Sequence, residues 1–285
     1  MRVAVTGASG LIGTALCRSL AARGDIVLPM GRPYDARVLH GVDAVVHLAG
    51  ASISDRWSGA HQRAILDSRV QGTTFIARTL AQLDPKPRVL VSASAVGWYG
   101  DRGDEVLDET SGPGRGFLAD VTRVWEASAD AARDAGIRVV YPRTGLVLTP
   151  LGGLLARLLP IFRIGAGGRI GSGAQWMSWI ALADAVAALE HIITADALHG
   201  AVNMVAPTPV TNAEFTRVLG DVLHRPTLAT VPPFALRLAF GAQMTEELFL
   251  ASQRAVPRAL ERSGFACTLP TMDAALRFEL GATSR

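Results

Sequence analysis

The residues equipped for chemistry begin at the N-terminus. Thr6-Gly7-Ala8-Ser9-Gly10-Leu11-Ile12-Gly13 follows an apolar β-rich run at 2–6 and opens a helical pattern at 11–23. Glycines in such a turn let the backbone bend sharply and approach a pyrophosphate, while the helix start supplies free N–H groups and a positive dipole end. The spacing is GxxGxxG, and the strand–turn–helix context favours dinucleotide binding over a bare turn. Gly7, Ser9, Gly10, Leu11, Ile12 and Gly13 are therefore the candidate phosphate cradle. The next β-rich run, 26–30, leads into Gly31-Arg32, with no carboxylate before Asp35. An NAD site places an acid there for the ribose 2′-hydroxyl, whereas a guanidinium suits a 2′-phosphate. Arg32 thus favours NADP(H) over NAD, against the plainer alternative of a solvated surface arginine.

A second group of candidates lies further on. Ser92 and Ser94 fall in the run 88–94, where strand alternation points both to one face. Ser94 closes that run at the edge where open α/β sheets bind ligands; its hydroxyl either orients a carbonyl or alcohol, or bonds local backbone. Tyr99 follows in Gly97-Trp98-Tyr99-Gly100. A phenol titrating at about 10 is a sluggish base, so Tyr99 reads as an acid for reduction or as a pocket wall beside Trp98. Trp176 and Trp179 flank Ser178 and either line a cleft or pack inside. Arg69 and Arg143 either bind an anionic substrate or pair structurally. His47 reads as packing beside the cofactor.

The elements that must position these residues alternate in type. β-Rich runs at 2–6, 26–30, 43–48, 88–94 and 137–142 are separated by helical stretches near 11–23, 57–83 and 117–135. This alternation predicts an α/β fold with a doubly wound parallel sheet. Gly24 and Gly136 stand just past two of the helices, as helix ends favour. Between 150 and 175 the rhythm breaks: Pro160 is expected to interrupt an apolar helix, and five glycines from Gly165 to Gly173 to form a flexible loop. A helix over 182–195, a strand over 201–205 and a capping box at Thr211-Asn212-Ala213-Glu214 follow. The reading is a dinucleotide-binding domain over 1–150, completed by about 176–205. A substrate lobe over 151–285, mainly the helical 206–285, faces it across a cleft.

Composition excludes other classes. The chain has 285 residues, 49% hydrophobic and 19% charged, which fits a packed core and not disorder. Of its 28 Lys+Arg, only Lys86 is lysine, and it sits between Pro85 and Pro87 in a loop, so a catalytic lysine in a packed pocket is nearly excluded. The two cysteines, Cys17 and Cys267, form neither a disulfide framework nor a CxxC pair, which points to the cytoplasm. The six histidines lack close ligand spacing, so no metal site is expected. No 18-residue apolar run implies a membrane span, and a net charge of +3 with scattered arginines argues against nucleic acid. The partner expected is a small molecule, with a homodimer compatible and oligomeric state left open.

The TGxxGxxG loop, His47-Leu48-Ala49-Gly50 and Ser92-Ala93-Ser94-Ala95-Val96-Gly97-Trp98-Tyr99-Gly100-Asp101 resemble the extended short-chain dehydrogenase/reductases. Ser68-Arg69, Trp125-Glu126, Arg143-Thr144-Gly145, Ser178-Trp179-Ile180 and Asn203-Met204-Val205-Ala206-Pro207 match an epimerase family branch with a helical C-terminal domain. The resemblance implies a Rossmann fold and NADP(H) binding, in which Leu48, Ala49, Gly50, Ser92, Arg143, Thr144 and Gly145 join the cofactor residues. It also makes Ser94 the catalytic serine. The family's tyrosine and its lysine four residues on are missing: anchored on Glu126, their positions hold Leu118 and Thr122. Glu126 itself is a candidate substrate carboxylate or a helix-surface ion pair. Only residues 33–46 separate Arg32 from His47, so the usual third edge strand is expected to be absent. Oxidoreduction without the standard relay ranks first. A cofactor-sensing or partner-binding protein related to cell division ranks second, and nucleotide-sugar epimerisation third.

Overall fold

A computed structural model describes residues 1–282. The main sheet has six principal strands: β1 (Arg2–Thr6), β2 (Ile26–Met30), β3 (Ala44–His47), β4 (Val89–Ser92), β5 (Arg138–Thr144) and β6 (Gly200–Met204). All pair in parallel in the order β6-β5-β4-β3-β1-β2, and Ser94–Ala95 adds a short pairing with β5. Every residue of β3 and β4 is buried, as apolar central strands covered on both faces require. Pro29 is tolerated because β2 is an edge strand.

The helices are α1 (Leu11–Ala22), α2 (Gly59–Ala81), α3 (Phe117–Ala127), α4 (Asp130–Asp134), α5 (Gly153–Arg163), α6 (Leu182–Thr194) and α7 (Asn212–Leu223). Strand alternation distributes the core. Val3, Val5, Val46 and Val91 pack with Leu16 and Leu20 of α1 and Leu189 and Ile192 of α6. Ala4, Val45 and Leu90 face the other way, onto Ile76 and Leu80 of α2 and Ala132 of α4. Gly24, at φ +86, takes the left-handed turn that ends α1.

Between β2 and β3 the chain crosses β1 with only one 3-10 turn, Ala36–Leu39, capped by Asp35. The usual edge strand is absent, as the short spacing implied. The order therefore reverses between β1 and β3, and their C-terminal ends frame the crevice where such sheets bind ligands.

Three expectations are revised. The helix expected over 117–135 is two helices, broken near Ser128, whose Oγ donates back to Val124 O at 2.7 Å. Pro160 lies inside α5 without interrupting it: the helix runs on to Arg163 although Pro160 has no N–H to donate to the carbonyl four residues back. The glycine-rich stretch is not simply a loop: Gly168–Ile170 pairs in parallel with Ala229–Val231. A Cβ on Gly168 would fall 2.1 Å from Ala229 O, so this pairing needs glycine. α5, α7 and the helix Met272–Leu280 surround a separate core that includes Leu155, Phe162, Trp179, Phe215 and Leu276.

Candidate functional site

The glycine turn is a backbone device. Gly7 has φ +68, and a Cβ there would lie 2.9 Å from Ala49 N. At Gly13 a Cβ would lie 2.1 Å from Gly7 O, so glycine lets α1 start directly against the turn. Gly10 N–H donates to Gly7 O at 2.9 Å, and Thr14 N–H reaches Gly10 O at 2.9 Å. No side chain caps α1 and its first turn holds no acid, which leaves the N–H groups beside Leu11 and Ile12 for an anion. Ser9 and Gly10 are exposed at its rim. Arg32, also exposed, stands two residues past the end of β2.

Beneath the turn, Thr6 Oγ1 and His47 Nδ1 are 2.6 Å apart, and Ala49 N–H contacts Thr6 Oγ1 at 3.4 Å. Burial, with Arg32 nearby, pushes the His47 pKa down to about 4, so the imidazole is neutral at pH 7. His47 Nε2 and Ser92 Oγ are buried without partners, on neighbouring strand positions. Leu48, Ala49 and the exposed Gly50 carry β3 out into the crevice.

The Ser94 side is built from side chains. Ser94 Oγ–H donates to Glu126 Oε1 at 2.7 Å. Arg143 grips the same carboxylate with Nε at 2.9 Å to Oε1 and Nη2 at 3.0 Å to Oε2. Its guanidinium lies 3.9 Å from the Trp98 ring centre and donates to Tyr99 Oη at 3.2 Å. Tyr99 Oη is also 2.7 Å from Asn203 Oδ1 and 2.9 Å from Asp108 O. Burial opposes the charge on Arg143, but Glu126 outweighs it and the pKa is raised. Burial likewise raises the Tyr99 pKa, with Arg143 pulling against it.

Several candidates take a different place from the one expected. Tyr99 is fully buried with Oη fully engaged, so it braces Arg143 and faces no ligand. Arg143, expected at the cofactor, is committed to Glu126. Thr144 Oγ1 turns back to Pro142 O, and Gly145 is needed because a Cβ would meet Ser178 O at 2.7 Å. Trp179 is wholly buried in the C-terminal core, with Nε1 on Thr208 O, so it lines no cleft. Trp176 lies under Arg254 at 4.1 Å and bonds Asp104. Thr122, at the position of the missing lysine, turns its hydroxyl to Leu118 O and Ala119 O within its own helix.

Two contributors were not among the candidate site residues, although Asn203 lies in one of the stretches that carry the family resemblance. Asn203 anchors Tyr99 from β6, and Glu247 caps α3 by accepting from Phe117 and Leu118 N–H at 3.0 and 2.8 Å. Glu247 sits in a π-helical turn, Thr245–Leu250, of the C-terminal lobe. A cavity of about 140 Å³ between this turn and α3 is lined by Gly97, Arg115, Leu118, Glu246, Glu247 and Gln253. It touches Leu118.

Fold and glycine turn together define a Rossmann-fold protein of the extended short-chain type. Residues 3–205 match the NAD dependent epimerase/dehydratase family, and residues 231–279 match DUF1731, a domain of unknown function. An epimerase family protein of Mycobacterium bovis is 43% identical over 300 residues, covering 99% of this chain and 98% of its own. The chain belongs to the NAD dependent epimerase/dehydratase family. Human epimerase family protein SDR39U1, crystallised with NADPH, superposes with a TM-score of 0.92 at 33% identity over 99% of both chains. A Corynebacterium glutamicum protein described as a nucleoside-diphosphate sugar epimerase gives 0.82 at 38% identity, over 99% of this chain and 58% of its own.

Proposed function

We propose that this protein is an NADP(H)-dependent oxidoreductase that moves hydride between the nicotinamide and a small carbonyl or alcohol. The observation that carries the reading is the uncapped, side-chain-free cradle at Gly7, Gly10 and Gly13, with Arg32 past β2 and no acid in its place. NADPH in the crystals of the human relative supports it. Leu11 and Ile12 N–H groups would hold the pyrophosphate and Arg32 the 2′-phosphate. NADPH, when bound, supplies the hydride. Ser94 turns its hydroxyl from Glu126 to the substrate oxygen and orients it, while Arg143 holds the Glu126 side chain in place. Water delivers the proton that completes the alcohol, since Tyr99 and Thr122 are both engaged elsewhere.

A panel of small carbonyl compounds followed by NADPH absorbance tests this reading. Turnover that falls at least about a hundredfold in Ser94→Ala, within the range for losing one hydrogen-bond donor aimed at the reacting oxygen, is the expected result. Turnover indifferent to Ser94 would remove its role. A second reading, NADP(H) sensing without turnover, is favoured by one observation: every side-chain hydroxyl of the Ser94 network already has an internal partner. NADPH binding with no turnover across the panel is its signature. Epimerisation ranks below both because Leu118 and Thr122 replace the proton relay.

A further inference from the structure

Arg69 is a cation without an acid. Its Nη1 donates to Ala51 O at 3.0 Å and Ile65 O at 3.1 Å, which fixes the plane of the guanidinium. Its Cζ lies 4.9 Å from the Trp125 ring centre. Among the described residues no carboxylate stands within ion-pair distance of it, whereas Arg143 has Glu126. Nε and Nη2 therefore keep donors for which the protein supplies no acceptor. Burial pushes the Arg69 pKa down to about 10, which leaves it protonated at neutral pH.

Its position gives that charge a direction. A Cβ on Gly50 would lie 3.2 Å from Arg69 Cζ, so the guanidinium rests on the bare backbone of an exposed glycine. Gly50 follows Ala49, whose N abuts the glycine turn at Gly7. Arg69 thus stands at the mouth of the crevice, on the side walled by α2 and α3. The cofactor phosphates are matched on the other side, by α1 and Arg32. The helix under Arg69 through Trp125 also carries Glu126, the partner of Ser94.

We propose that Arg69 seats an oxyanion of the substrate, a carboxylate or phosphate, so that the compound reduced is an anionic carbonyl compound. This rests on the oxidoreductase reading above. Two N–H donors in a fixed plane match two oxygens of such a group, which a lysine ammonium cannot do.

Isothermal titration of oxalate, and separately inorganic phosphate, onto the protein with and without saturating NADPH tests the seat. Wild type is expected to bind one equivalent of at least one probe. Arg69→Gln should bind it at least about tenfold more weakly, equivalent to 1.4 kcal/mol, while NADPH affinity stays within about twofold. Arg69→Lys, which keeps the charge but loses the fork, should fall between them. If Arg69→Gln does not fold, equal probe affinity in Arg69→Lys and wild type overturns the proposal. So does absence of saturable binding of either probe, or probe binding unchanged in Arg69→Gln. A selective loss of NADPH affinity would assign the charge to the cofactor instead and overturn it as well. Arg69-dependent oxalate binding in a protein that fails to bind NADPH would support the seat while rejecting the cofactor reading.

Discussion

The two halves of the crevice are made of different material. On the α1 side the working groups are backbone N–H groups, freed by glycines and left without a cap. On the Ser94 side they are side chains, and each polar atom from Ser94 through Glu126, Arg143 and Tyr99 to Asn203 is bonded to the next. One half is open to a ligand; the other is already satisfied. A scaffold can therefore keep its glycine cradle while the side chains beside it change, because the cradle is built from backbone and depends on no side chain of the Ser94 half.

The largest expected effect breaks the closed half. Glu126→Ala leaves Arg143 buried without its carboxylate, and about 3–5 kcal/mol of stability should be lost. Urea denaturation measures it, and a loss below about 1 kcal/mol, as for an exposed pair, would mean the network is not closed. The next concerns His47, at the join between the halves. Its folded pKa, about 4, lies below the ordinary 6.5, so protonation favours unfolding. Its contribution is fully present above about 6.5 and is lost as pH falls through about 4, by at most about 3 kcal/mol. His47→Asn should flatten that part of the urea-stability profile between pH 7 and 4; an unchanged slope would show that His47 is not held neutral.

The open half responds to smaller changes. Gly13→Ala puts a methyl 2.1 Å from Gly7 O, and the turn must shift. A stability loss of about 1–3 kcal/mol is expected. NADPH affinity should fall at least about tenfold as the N–H groups lose their aim. Fluorescence titration reads the affinity, and unchanged binding would detach the cofactor from the turn. Ser94→Ala sharpens the contrast with the smallest effect. It removes one donor from a carboxylate that Arg143 still holds, so stability should fall by about 1 kcal/mol with NADPH affinity unchanged. A marked loss of NADPH affinity would show that the two halves are not independent.

The open half was legible from the sequence, because its signal is local. Glycines spaced by three residues between a strand and a helix determine the backbone that follows, and the short path from Arg32 to His47 leaves no room for an edge strand. The closed half was legible only in part. Ser94, Glu126 and Arg143 were each singled out, but their pairing joins a strand end, α3 and β5, and no local pattern reports such a meeting. Tyr99 read as an acid or a pocket wall because nothing near it in sequence reveals Asn203, 104 residues away. Trp179 was open to either reading, cleft or interior, and the interior one holds: the core that buries it draws on residues as distant as Leu276. Glu247 reaches α3 across 130 residues and was not visible at all.

A paired titration with NADPH and NADH tests the central claim, that the glycine turn and Arg32 form an NADP(H) site. Wild type should bind NADPH at least about tenfold more tightly than NADH, the worth of one charge-assisted phosphate contact, and Arg32→Ala should erase the difference. Equal affinities for the two cofactors, or binding of neither, would contradict it.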